Sequence, residues 1–81
     1  GGGLPVGEYA CYGSGQRILA GLGFKVVGNG RYTDLEGENA GSFSVNGETV
    51  TFRGGHLDGQ VGRELNRASF RIAGAALCEP W

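Results

Sequence analysis

Methionine is absent from these 81 residues, helix formers are sparse, and no 3.6-residue apolar period is sustained anywhere. An all-helical or mixed fold is therefore not expected. No apolar run approaches the roughly 20 residues of a membrane helix, so membrane insertion is not expected either. No basic block is present. Seven Lys and Arg against eight Asp and Glu leave a net charge of -1, which lacks the electrostatic footprint that nucleic acid or an anionic membrane needs. Cysteine is limited to Cys11 and Cys78, and His56 is the only histidine. A single imidazole makes a zinc site a poor reading, because the two cysteines are better used as a bridge. No signal peptide is visible, and the opening "GGGLPVGEY" reads as what cleavage or cloning leaves behind.

Glycine, by contrast, is abundant, with 18 residues. A low-complexity chain is rejected because the apolar residues between the glycines alternate regularly. In "SFSVNGETVTF" a two-residue type I′ turn at Asn46-Gly47 is expected. It sets Phe43 opposite Val50 and Val45 opposite Glu48. Phe43, Val45, Val50 and Phe52 then share a core face, with serines, threonines and Arg53 on the wet face. "GFKVVGNGRYTDL" predicts a second hairpin turning at Asn29-Gly30. A two-residue loop pairs Lys25 with Asp34 and puts Val27 beside Tyr32, whereas a bulged loop shifts that register; both stay open. Further strands are expected in "GEYACYG", "RILAGL", "ASFRIAG" and "AALCEP". One helical turn is expected over Val61 to Leu65. In the last strand Leu77 and Cys78 cannot both point inward.

These elements describe one all-β domain spanning residues 1–81, a small antiparallel sandwich or barrel of six to eight short strands. Its core is marginal for its size. Two buried free thiols are one reading of Cys11 and Cys78. The preferred one is a disulfide joining the first and last strands, worth about 4 kcal/mol by chain entropy and pointing to the periplasm, the cell surface or the extracellular space.

Several residue groups are candidates for chemistry or contact. His56 and Asp58, with Ser14 or Ser69, contain the residue types of a hydrolytic triad. No nucleophile elbow or partner spacing supports one, so no catalytic residue and no enzyme activity are expected. The plain reading of His56 is a solvent-facing loop imidazole, with "RGGHLDGQ" as the exit from the hairpin and a contact surface. Asp34, Glu36 and Glu38 offer hard oxygen ligands and form a weak calcium candidate. Val45 stands where an EF-hand would place its twelfth-position carboxylate, so an acidic solvated turn is the alternative. No cofactor is expected. The glycine-rich stretches lack the Lys-Thr and following helix of a phosphate cradle. Tyr9, Tyr12, Tyr32 and Trp81 are candidates for an aromatic platform, half of them expected in the core. Trp81 reads either as a cover for one end of the sheet or as a contact anchor. Gly1, Gly2 and Gly3 are candidates for an extended end lying on another copy's sheet edge.

"EYACYG", "GFKVVGNGRYTD", "GSFSVNGETVTFRGGHLDGQ" and "SFRIAGAALCEPW" together resemble a family of small exported bacterial β domains without an assigned activity. The resemblance implies export and a β fold, and it carries no catalytic residues. A weaker similarity is to periplasmic lysozyme inhibitors of the small barrel type, through Tyr9, Cys11 and Cys78. The serine-containing inhibitory loop of that type has no counterpart here. The expected function is a non-catalytic structural or interaction module, self-associating through an edge strand or the glycine end. The alternative is an inhibitor or binder of a cell-wall enzyme or glycan. The expected partner is thus a second copy, another extracellular protein or a glycan.

Overall fold

The computed structural model describes residues 3–81. Its strands are β1 (Gly7–Tyr12), β2 (Phe24–Gly28), β3 (Arg31–Thr33), β4 (Gly41–Asn46), β5 (Thr49–Gly54), β6 (Val61–Asn66), β7 (Ser69–Ile72) and β8 (Ala76–Pro80). Three single 3₁₀ turns, Ser14–Gln16, Ala20–Leu22 and Gly55–Leu57, interrupt the connections. Each strand pairs antiparallel with the next, and β8 returns to β1 to close a barrel. The seam is covalent. Cys11 and Cys78 are direct cross-strand partners and form a disulfide across 67 residues.

Closure at eight strands leaves an interior just wide enough for side chains, and aromatic rings fill it. Phe24 is the hub. It stacks on Tyr9 at 4.9 Å between ring centroids and meets Tyr32, Phe52 and Phe70 at 5.5 to 6.1 Å. Tyr9, Phe24, Tyr32, Phe52 and Phe70 are all fully buried. Two of the four candidate platform tyrosines and tryptophan therefore belong to the core.

The β4–β5 hairpin keeps its expected faces but not every expected partner. In β4–β5, Phe43 lies opposite Phe52 and Val45 opposite Val50, with Asn46 paired to Thr49. The turn is Gly47-Glu48, one residue later than expected. Gly47 has φ +63°, while neither Asn46 nor Glu48 has positive φ, which excludes the double positive φ of a type I′ turn. In β2–β3 the bulged form wins. Val26 pairs with Tyr32 and Gly28 with Arg31, leaving Val27 as the extra, exposed residue. Lys25 consequently faces Thr33 rather than Asp34.

Two local expectations fail. "RILAGL" forms no strand; only Ile18 bridges Tyr12 before a 3₁₀ turn. Val61 to Leu65 is not a helical turn but most of β6. In β8, Cys78 points inward and Leu77 outward and half-buried. Because the ring closes, the described strands offer no free edge. Association through an edge strand, one of the expected routes, would need a strand pair of the ring to open. Gly1 and Gly2 lie outside the described residues, so the contact expected of the glycine end falls mostly outside them. No helix among the described residues is long and apolar enough to cross a membrane. The strands, three to six residues each, are also shorter than the roughly nine to eleven a membrane strand requires.

Candidate functional site: the outer face of the disulfide seam

The disulfide fixes which way its neighbours point. Side chains alternate along a strand, so with Cys11 and Cys78 inward, Ala10 and Tyr12 on β1 and Leu77 and Glu79 on β8 turn outward. Tyr12 pairs with Leu77 and Ala10 with Glu79. Leu77 also pairs with Arg71 on β7, giving an outer row of Arg71, Leu77 and Tyr12 across three strands. At the other end the Trp81 amide donates to the Glu8 carbonyl at 2.9 Å, which continues the pairing and leaves the indole 73% exposed. Tyr12 and Trp81 thus mark two ends of one face. Four residues of strand separate Leu77 from Trp81, about 13 Å.

Two depressions flank this strip. Near Tyr12 a cleft of about 630 Å³ runs between the Ser14–Gln16 turn and the β7–β8 connection, lined by Tyr12, Gln16, Arg71 and Leu77 among others. It merges through Tyr12, Gln16 and Leu77 with a depression that includes Glu79. Its walls are held by backbone bonds. The Gly13 amide donates to the Arg17 carbonyl at 2.7 Å and the Leu19 amide to the Cys11 carbonyl at 2.8 Å. Gln16 and Ala73, both at positive φ without being glycine, stand on opposite sides of it; such conformations persist only where the surroundings hold them. Beneath Trp81 a groove of about 230 Å³ is lined by Glu8, Tyr9, Ala10, Ile18, Leu35 and Trp81 itself. Ile18 and Leu35 are themselves 50% and 38% exposed. Trp81 therefore lies along the barrel wall and does not cover an open end.

His56 and Asp58 are each engaged by backbone groups. His56 is half-buried rather than solvent-facing. Its ring tilts against Tyr32, and Nε2 lies 2.9 Å from the Gly23 carbonyl. A carbonyl only accepts, so Nε2 carries the proton, and Nδ1 is buried without a partner. Asp58 is occupied elsewhere, with Oδ1 accepting the Gly54 amide at 2.7 Å. The Tyr32 hydroxyl donates to the Gly54 carbonyl and accepts the Leu57 amide at 3.0 Å. Burial raises the pKa of that phenol, with the Leu57 bond opposing. His56, Asp58 and Tyr32 thus tie the Gly55–Leu57 turn to the barrel.

The acidic loop is likewise self-contained. Asp34 Oδ1 accepts the Glu36 and Glu38 amides at 2.9 and 2.8 Å, and Oδ2 accepts the Asn39 side chain at 2.8 Å. Among the described residues no group of three His, Cys, Asp or Glu side chains is drawn together. Asp34, Glu36 and Glu38 lie in a turn that the Asp34 carboxylate organises. Of the outer seam face the sequence points to Tyr12 and Trp81, as platform candidates, and not to Gln16, Arg71 or Glu79. Its signal was the alternation around each cysteine, which puts the flanking residues outside once the bridge is inside. No family model, curated protein or solved structure matches the chain.

Proposed function

We propose that the chain is an exported, non-catalytic contact module that takes its partner on the outer face of β1 and β8. The observation that carries this reading is the disulfide lying directly behind that face. A strand pair locked from within presents Tyr12, Leu77, Glu79 and Trp81, and rigid strands hold contact groups more accurately than loops do. The bridge also supports export, since such bonds persist in oxidising compartments. The filled interior favours a surface-binding role over a ligand carried inside. While the ring stays closed, a second copy would have to dock face to face.

A wall glycan is the partner that the chemistry of the face favours. Two aromatic residues at opposite ends of one face, with the amide of Gln16, the guanidinium of Arg71 and the carboxylate of Glu79 near one of them, suit an extended hydroxylated chain. The rings supply apolar faces, and the planar polar groups bond its hydroxyls. Titrating soluble peptidoglycan fragments into the isotope-labelled chain is expected to shift amides of residues 8–16 and 76–81, and Tyr12→Ala should weaken binding about tenfold, or 1.4 kcal/mol. Shifts confined to other strands, or unchanged affinity in Tyr12→Ala, would overturn the proposal. Light scattering at high concentration checks for a second copy on the same face, and a lysis assay checks for inhibition of lysozyme.

A further inference from the structure

We propose a second binding site, for a phosphate or sulfate group, made by Arg31, Ser42 and Arg53 on the side of the barrel away from the seam. Arg31 on β3 pairs with Ser42 on β4, and Ser42 pairs with Arg53 on β5. Directly paired residues put their side chains on one face of a sheet, and all three are exposed. The serine hydroxyl thus stands between two guanidinium groups whose backbones are about 10 Å apart. The three line a depression of about 530 Å³ whose remaining lining is Gly30, Ala40 and Gly41. These small residues leave the arginines room to converge, and the lining holds no carboxylate.

Two other cations have partners of their own. Lys25 has Glu8 as its cross-strand partner. Arg71 donates to the Ala75 carbonyl at 3.1 Å. The acidic loop after β3 would be the natural counter-charge, but Asp34 is engaged by its own loop and, with Glu36, lines a different depression beside His56. Two like charges flanking a hydroxyl repel each other until an anion lies between them. Guanidinium forks bond oxyanions in a bidentate manner, and a hydroxyl adds a third donor. The ligand class is a doubly charged tetrahedral oxyanion, free or carried as an ester on a larger molecule. Solvent exposure makes the site sensitive to ionic strength. In strand order β4 lies opposite the β1–β8 seam, so this site does not depend on the glycan reading.

The test follows amide and Arg Nε signals of the full chain while inorganic phosphate or sulfate is added at fixed ionic strength. Saturable shifts are expected at Arg31, Ser42 and Arg53. Arg31→Gln or Arg53→Gln should weaken binding about tenfold, Arg53→Lys less, and Arg63→Gln not at all. Melting curves verify that each variant is folded, and Ser42→Ala provides a milder change on the same row. Absence of saturation, or an equal loss in Arg63→Gln, overturns the site. A sulfated oligosaccharide run beside inorganic sulfate separates the sources: tighter binding of the ester identifies a carried group, and equal binding a free ion.

Discussion

The Asp34 carboxyl is held below its ordinary pKa of 3.8, first by the Glu38 amide and next by the Asn39 side chain, with the Glu36 amide and the charge of His56 adding to them against a desolvation cost. A carboxyl depressed in the folded state stabilises the fold fully above its unfolded pKa. That contribution is lost as pH falls through the lower, folded value. The wild-type chain should therefore lose part of its stability on acidification below about pH 4, and Asp34→Asn should lack that component while keeping the rest of its acid transition. Urea midpoints collected from pH 6 down to pH 2 check this. Parallel curves for the two proteins would show that the loop bonds do not favour the charged form. At the same scale, Tyr32 contributes both a core ring and a phenol that satisfies the backbone of the Gly55–Leu57 turn. A sequence displays the residue type but not which of these two roles it fills.

Among the elements, the β4–β5 hairpin illustrates how a register can differ while the faces stay right. The expected and observed pairings differ by two residues in the sum of partners, and an even shift preserves which side chains share a face. The turn residue that needs positive φ is Gly47. Gly47→Ala should cost about 1–2 kcal/mol, the usual cost of a left-handed L-residue, whereas Asn46→Ala should cost clearly less. Chemical denaturation of both variants settles the order, and a larger loss in Asn46→Ala would return the turn to Asn46-Gly47. Strand β6 was hidden by a related effect. Its inward position is Gly62, where an added Cβ would lie 2.5 Å from the Phe70 ring. Phe70 thus fills the space that an apolar side chain would otherwise announce in the sequence. Glu64, at φ +58°, lies in the register shift before Asn66 and breaks the remaining alternation.

For the molecule as a whole, the bond between Cys11 and Cys78 joins the first and last strands of the ring and closes 67 residues of chain. Chain entropy assigns it about 4 kcal/mol, a large part of the 5–15 kcal/mol typical of a native domain. Replacing both cysteines with serine should lower Tm on the order of 15–30 °C, from the roughly 4–8 °C per kcal/mol expected at this size. Calorimetry of the double variant measures it directly. A drop of only a few degrees would mean that strand pairing alone closes the barrel. The same substitution should weaken binding at the outer seam face more than at the Arg31–Ser42–Arg53 row, because only the first lies on the bridged pair.

Alternation of apolar residues, glycine at the turns and two distant cysteines were enough to establish an all-β chain of short strands tied end to end, since these signals depend on local geometry and on the unfolded chain. The closed ring was decided only by tertiary structure. Whether β8 reaches β1 depends on strand twist and on aromatic rings filling the lumen, neither of which is written in any one segment. The same holds for the two surface sites. Tyr12 and Glu79, or Arg31 and Arg53, are far apart in sequence and become neighbours only when strand pairing sets their register.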